Sequence, residues 1–248
     1  FLFYDFNTKL SYKPSTKDII SVSAYHGKDE LTIDDSYMFY YGSFSIPLFD
    51  IKKSITWGNT GLSVRWGRQW HEKLYTTVRA SGTNFAKHGN LSTMINADSS
   101  FWDDPVNMIY FNYKTGIRDL NISMDTEWLI NSHYTAEFGV SKTNLQTDFK
   151  LSTTPGEEDP DNPLDDEDAY AYNLSRAWLT SAYATLQAKL FSNLSMSLGT
   201  RINHYTLSHL HVEPRFTCTY HVNSHISFKS AYGRSNQFIY QNTEQDPG

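Results

Sequence analysis

Three side chains with metal-binding chemistry are spaced along one short stretch near the end of the chain. His209, His211 and Glu213 alternate with apolar residues, so in an extended strand all three would point to the same side. Imidazole and carboxylate groups held in this way can ligate Zn²⁺ or haem iron. The spacing makes these residues a candidate metal site, and the alternative is a histidine cluster at a rim beside a hairpin tip.

A dense acidic run lies between residues 157 and 168. Its carboxylate oxygens are the ligands that Ca²⁺ prefers, although the run lacks the glycine-punctuated spacing of a dedicated calcium loop. Like charges in a proline-containing stretch repel one another and resist packing. The run therefore indicates either a calcium site or a solvated loop.

Aromatic and cationic side chains supply candidate contacts for a larger ligand. Tyr37, Phe39 and Tyr40 belong to one aromatic run, which could stack on a sugar ring, a siderophore catechol or a corrin, or pack against its own surroundings. Arg201 and Arg215 lie in strand-like segments at positions that are predicted to face inward. Guanidinium groups there could guide an anionic ligand or pair with carboxylates on the same face.

No catalytic motif accompanies these residues. The sequence contains no Gly-x-Ser-x-Gly, no His-Glu-x-x-His, no phosphate loop and no dinucleotide-binding fingerprint. The formal net charge is -6, which argues against neutralising the phosphates of a nucleic acid. We therefore expect a protein that is not an enzyme, needs no cofactor and does not bind nucleic acid.

The elements that carry these groups are long segments in which apolar and polar side chains alternate. Five times, two such segments are joined by a tight polar turn, which predicts ten antiparallel strands. In one of them Leu120 and Ile122 alternate with Asp119 and Asn121. A row of carboxylates and amides cannot form a dry core, so the polar face is expected to meet water and the apolar face lipid.

The connections between the hairpins are much longer than the turns within them. Three span about Lys28 to Lys53, Ala86 to Asn107 and Ser152 to Asn173, and we expect them to be irregular extracellular loops. Turns that are short on one side and long on the other are typical of outer-membrane barrels. The mean hydropathy of -0.52 excludes a bundle of membrane helices, and 15% aromatic content suits belts at two membrane interfaces.

Several motifs occur in an order that resembles one family. From His211 to Tyr240 an acidic-Pro-Arg step precedes a strand, a short Asn/Ser turn and a strand that ends in Tyr-Gly-Arg. The stretch INSHYTAEFG and the hairpin from Phe3 to Asp29 have the same character. Together these segments resemble the barrel strands of TonB-dependent outer-membrane transporters, and the resemblance covers most strands.

The resemblance implies an all-β, antiparallel up-and-down transmembrane barrel of 22 strands. Residues 1–248 would supply about ten of these strands, without the plug domain that occludes such barrels, and both ends look like cuts through a longer protein. The implied activity is uptake of a scarce nutrient, such as a ferric siderophore, haem, cobalamin or an oligosaccharide, across the outer membrane of a Gram-negative bacterium. The implied partners are outer-membrane lipid, that cargo, and the inner-membrane TonB complex acting through the plug region.

Two alternatives remain open at this point. A self-contained ten-stranded barrel acting as an adhesin or a rim enzyme would pair its first and last strands with each other, because an open edge in lipid leaves backbone groups unsatisfied. A soluble β-sandwich or carbohydrate-binding module would reverse the faces and bury residues such as Ile122, Leu186 and Phe228. Closure of the sheet and the exposure of its apolar face distinguish the three.

Overall fold

The structure, a computed structural model, describes residues 1–41, 44–95, 108–155 and 169–238. These residues form ten β-strands: β1 (Leu2–Tyr12), β2 (Asp18–Tyr41), β3 (Phe44–His71), β4 (Leu74–Ile95), β5 (Met108–Leu129), β6 (Tyr134–Pro155), β7 (Ala169–Phe191), β8 (Leu194–Tyr205), β9 (His209–His221) and β10 (Ser227–Gly233). The predicted all-β class and the number of strands are confirmed.

All ten strands belong to one antiparallel sheet in which the spatial order follows the chain from β1 to β10. Each strand pairs with the next, which is the up-and-down connectivity that the hairpins predict. Among the described strands, β1 and β10 are not paired with each other, so the sheet is open. No helix within the described residues is long and apolar enough to cross a membrane.

The five short turns of the predicted hairpins lie at one end of the sheet, and side-chain oxygens shape three of them. At the opposite end, residues 206–208 join β8 to β9. Asn131 and Asn223 open two turns of the same Asn-Ser-His sequence. Each side-chain Oδ1 accepts hydrogen bonds from the backbone N–H groups two and three residues later, over 2.8–3.0 Å. In the first turn the Ser15 hydroxyl plays the same part. Such local bonds satisfy the backbone where the strand ladder ends.

Near the short turns, the apolar residues occupy the exposed face of the sheet. Leu120 is 68% exposed and Ile122 is 58% exposed, whereas Asn121 and Ser123, which alternate with them, are half-buried. The polar side chains therefore lie on the sheltered, concave face. This arrangement is the opposite of a β-sandwich, in which the apolar face would be buried. We call the outward apolar surface the apolar band.

Tryptophans mark the edge of the apolar band beside the short turns. Trp66 Nε1 donates to Asp18 Oδ1 over 3.0 Å, and Trp70 Nε1 donates to Thr76 Oγ1 over 3.1 Å. The two indole rings meet edge to face, with centroids 6.4 Å apart. An indole with an apolar face and a bonded polar edge is typical of a membrane interface.

The long connections are different from the prediction of irregular loops. β2 and β3 stay paired from Asp18↔Arg68 out to Tyr41↔Phe44. The prediction of an irregular loop from Lys28 to Lys53 is therefore wrong, because these residues belong to the two arms of a hairpin. β4 likewise continues to Ile95, and β6 to Pro155. The strands therefore extend well beyond the apolar band, and we call this part of the sheet the extension.

The extension escaped prediction because its two faces exchange character. On β2 the outward residues from Ile20 to Ala24 are apolar, but from His26 to Ser36 that face is polar. The inner face changes in the opposite sense, and Leu31 and Ile33 lie on it. β3, β4, β5 and β6 change in the same way at corresponding positions. An outward face that passes from apolar to polar marks the boundary between lipid and water.

Substitutions on one face of β2 test this boundary. In a lipid bilayer, Val22→Arg is expected to destabilise the folded barrel by about 2–4 kcal/mol, because the charge would lie within the apolar band. Thr32→Arg, on the same face in the extension, is expected to be tolerated. The measurement is the fraction of full-length protein that migrates as the folded form in unboiled gels. Equal losses for the two variants would contradict the proposed boundary.

Candidate ligand-binding interior

One row of inner residues crosses five strands of the sheet within the apolar band. Backbone pairing places Asp125 opposite Gly139, Gly139 opposite Tyr183, Tyr183 opposite Arg201, and Arg201 opposite Glu213. These positions belong to β5, β6, β7, β8 and β9 and lie on the concave face. The row is thus a line of acidic, phenolic and guanidinium groups facing the interior.

Gly139 allows the first contact in this row. The Tyr183 hydroxyl reaches across β6 and donates to Asp125 Oδ1 over 2.8 Å. A Cβ atom at position 139 would lie 2.6 Å from the Tyr183 ring and 2.7 Å from Asp125 Oδ1, distances that real side chains do not adopt. A bond between strands that are not neighbours therefore depends on the missing side chain of the strand between them.

The predicted ligand residue Arg201 joins this row. Its guanidinium carbon lies 5.3 Å from the centroid of the Tyr183 ring, in a cation–π contact. Its Nε is buried without a hydrogen-bond partner among the described residues. A buried donor without an acceptor is costly, so an acceptor placed in the interior would bind favourably here.

Glu213, from the predicted metal set, contacts a different segment of the chain. Its Oε1 accepts from the backbone N–H and the side-chain amide of Asn236, over 2.9 and 3.2 Å. Arg215 Nη2 lies 3.5 Å from the other carboxylate oxygen. Residues 234–238 thus turn inward after β10 and are held against β9 by this carboxylate.

The two histidines of the predicted metal set lie at the beginning of β9. His209 has a positive φ of 68°, and His211 Nε2 is 2.8 Å from Ser208 Oγ. The ring of Phe238 packs on His211 with centroids 5.3 Å apart. No three His, Cys, Asp or Glu side chains are grouped for metal binding within the described ranges. The acidic run 157–168 lies outside the described residues.

The predicted aromatic ligand residues belong to β2 in the extension, where a loop was expected. Tyr37 and Tyr40 are 47% and 71% exposed. They are three positions apart in a strand, so they lie on opposite faces. Phe39 pairs with Ile46 in the backbone register, and its side chain is outside the described part. Tyr37 and Tyr40 therefore do not share one binding surface.

A different aromatic surface, which the sequence did not predict, lines the inner face of the extension. Pairing places Trp57, Lys87, Thr115 and Phe149 in one row, with Ile55, Gly89, Tyr113 and Leu151 in the next. We call these eight residues the inner wall. The Tyr113 ring lies over Gly89, and Lys87 Nζ is 5.4 Å from that ring. The inner wall combines ring faces with a cationic group.

Alternation within the sequence could have identified this surface. Ile55 and Trp57 alternate with polar residues as regularly as Leu62 and Val64 do, but with odd instead of even numbering. An apolar face that is followed along β3 at even-numbered positions ends where the apolar residues change to odd-numbered positions, so the second surface is missed.

Comparisons with known proteins bear on the fold. No family model matches the chain, and no curated protein matches it. Among solved structures, P. aeruginosa FpvA bound to a heterologous pyoverdine–iron complex is similar, with a TM-score of 0.60 and 14% identity over 92% of this chain and 34% of that chain. The RagAB peptide importer in its open-open state is also similar, with a TM-score of 0.59 and 9% identity over 93% and 32%.

These neighbours are outer-membrane barrels. The chain has the fold of a segment of such a barrel. It spans about a third of the length of the solved structures it matches. At this level of identity the likeness concerns the architecture of the strands and not the cargo.

A larger residue at Gly139 tests the inner row. Gly139→Val is expected to displace the Tyr183 ring, break its bond to Asp125 and destabilise the barrel by about 1–3 kcal/mol, as overpacking does. Gly61→Ala is the control, because a Cβ atom there would meet its nearest neighbour at an ordinary 3.8 Å. The measurement is the thermal unfolding of the full-length protein in detergent. An unchanged midpoint for Gly139→Val would contradict the described contact.

Proposed function

We propose that this chain is part of the barrel of a TonB-dependent outer-membrane receptor that takes up a scarce nutrient. The observation that carries the proposal is the exchange of faces at the end of the apolar band. Below it the barrel presents apolar residues outward and a polar interior. Above it the extension presents an apolar, aromatic interior to incoming solute. A surface of this kind is suited to capturing a molecule from water before passage.

The chemistry of the inner wall indicates the kind of cargo that would bind there. Trp57, Tyr113 and Phe149 offer ring faces, and Lys87 offers a positive charge among them. A bulky ligand that combines flat or apolar parts with anionic or hydroxyl groups fits these contacts. Ferric siderophores, haem, cobalamin and oligosaccharides all have this character. The pyoverdine–iron complex bound to FpvA is consistent with the same broad class, and RagAB is a peptide importer.

A path for anionic cargo continues below the inner wall. Arg79 faces the interior opposite Arg65 on the neighbouring strand, and neither arginine has an ion pair among the described residues. Arg65 Nε is also buried without a partner. Together with Arg201 and Arg215, these side chains supply guanidinium donors for carboxylate or phosphate groups.

A closed barrel needs more strands than the ten described, and energy-driven uptake needs a connection to the inner membrane. The two unpaired edges of the sheet expose backbone N–H and C=O groups that lipid cannot satisfy, so we infer that further strands flank β1 and β10. This inference disfavours the self-contained ten-stranded adhesin or rim enzyme. Energy for uptake would come from the inner-membrane TonB complex through a plug region, and the described residues would act as a conduit without catalysing a reaction.

Removing the rings of the inner wall tests the proposed function. The triple variant Trp57→Ala, Tyr113→Ala, Phe149→Ala in the full-length receptor is expected to weaken cargo binding at least about tenfold, since each ring contact contributes about 0.5–1.5 kcal/mol. The measurement is calorimetric titration with a ferric catecholate, haemin, cyanocobalamin and maltoheptaose.

The matched control changes the adjacent residue on the opposite face of each strand: Thr56→Ala, Asn112→Ala and Asp148→Ala. These side chains point away from the interior, so cargo binding is expected to stay unchanged. Equal effects of the two triple variants would contradict the inner wall as the cargo surface. A folded receptor that binds none of the four compounds would contradict the proposed cargo classes.

A further inference from the structure

Three adjacent strands place a cation at the upper boundary of the apolar band. On each strand we take the next outward residue in the direction away from the short turns. On β5 Arg118 follows Leu120 in this direction, on β6 Lys142 follows Val140, and on β7 Arg176 follows Trp178. At the corresponding boundary, β2, β3, β4 and β8 have uncharged or titratable side chains instead: His26, Thr60, Asn84 and His204. The positive charge is therefore concentrated on β5, β6 and β7, and we call Arg118, Lys142 and Arg176 the boundary cations.

The boundary cations lie close together in the sheet. Arg118 and Arg176 both pair with Gln146 on β6, which places their Cα atoms roughly 10 Å apart at the usual strand spacing. Lys142 is four residues before Gln146, about 13 Å along the same strand. A ligand that carries two phosphates could contact all three side chains.

The boundary cations are available to an external anion. All three are exposed, and none forms an ion pair in the part of the chain that the structure describes. Arg118 Nε donates to the amide oxygen of Asn84 over 3.0 Å, and Lys142 Nζ lies 4.8 Å from the Trp178 ring centroid. These neutral contacts orient the side chains without cancelling their charge.

Other titratable groups share this face in the extension. Lys114 lies four residues from Arg118 on β5, farther from the short turns, and Lys150 on β6 pairs with Lys114. His88, opposite Lys114 in the extension, has its pKa lowered first by burial and then by that lysine, while Asp148 acts in the opposite direction. His88 is therefore neutral at pH 7. On β5, β6 and β7 the acid among the described outward residues is Asp148, and its carboxylate lies over Gly116.

We propose that Arg118, Lys142 and Arg176 bind the phosphate groups of an anionic lipid headgroup in the outer leaflet. Arg118 and Arg176 lie where the apolar band ends, which is the depth at which headgroups are found, and Lys142 lies lower, paired with Ile122 and Thr180. Arginine forms paired, charge-assisted hydrogen bonds with phosphate, and cations near an anionic surface strengthen binding to it. Trp178 would pack beside the headgroup as interfacial indoles do. The proposal rests on the apolar band facing lipid and not on the identity of the cargo.

The test uses the full-length receptor in nanodiscs of phosphatidylcholine, with bisphosphorylated lipid A added as the probe. Bound lipid is quantified by native mass spectrometry for the native protein and for the triple variant Arg118→Gln, Lys142→Gln, Arg176→Gln. The variant is expected to bind lipid A at least about tenfold more weakly. Lipid A with its phosphates removed is expected to bind both proteins equally and weakly.

The control variant removes three exposed lysines at the opposite end of the barrel: Lys13→Gln, Lys17→Gln and Lys73→Gln. It loses the same charge and is expected to retain lipid A. Equal retention by both triple variants, or equal loss, would overturn the proposal. Displacement of the lipid by 10 mM inorganic phosphate alone would also overturn it, because it would mean that a free anion and not the headgroup is recognised.

A further variant separates headgroup binding from folding. Arg118→Lys with Arg176→Lys keeps the charge and is expected to restore most of the lost binding, with the folded fraction measured in unboiled gels. Failure of this variant to bind lipid A while it folds would overturn the assignment to phosphate. Cargo titration on the same samples reports on the inner wall independently, so failure of the lipid site leaves the proposed uptake function unaffected.

Discussion

The pairing of backbone groups is the constraint on which this architecture depends. A strand in lipid has no water to satisfy its N–H and C=O groups, so every such group needs a neighbouring strand. From β2 to β9 each strand of the sheet meets this requirement through a neighbour on both sides, in an antiparallel ladder interrupted by shifts such as the one between Tyr37 and Met38. Only after this ladder is in place can side chains divide between an outer and an inner surface, because alternation has meaning only in an extended chain.

The sequence predicted most of this framework for the same reason. Ten strands, their order and their tight turns follow from alternation and from turn residues such as Asn131 and Asn223. The extension was missed because the apolar residues move from one face to the other near His26 and Thr60, and the sequence there resembles a loop. The change reflects two different solvents: lipid outside the band and water outside the extension.

The candidate site was less predictable than the fold. Arg201 was identified as an inward guanidinium, but its contact with Tyr183 was not predicted. The bond from Tyr183 to Asp125 joins positions 58 residues apart across a glycine on a third strand. Such contacts depend on the register between strands, which alternation within one strand does not specify. The metal site of His209, His211 and Glu213 stays a prediction. The same limit explains why the contacts of Asn236 with Glu213 and of Phe238 with His211 were not predicted.

The exchange of faces restricts how the length of this protein can vary during evolution. Inserting a single residue low on β2 would turn every later side chain of that strand to the other side, so that Leu31 would meet water and Lys28 would enter the mouth. Residues added at the tip of a hairpin change nothing beneath them. Insertions and deletions are therefore expected at the outermost hairpin tips. The part of each strand where the two faces exchange character is expected to keep a constant number of residues.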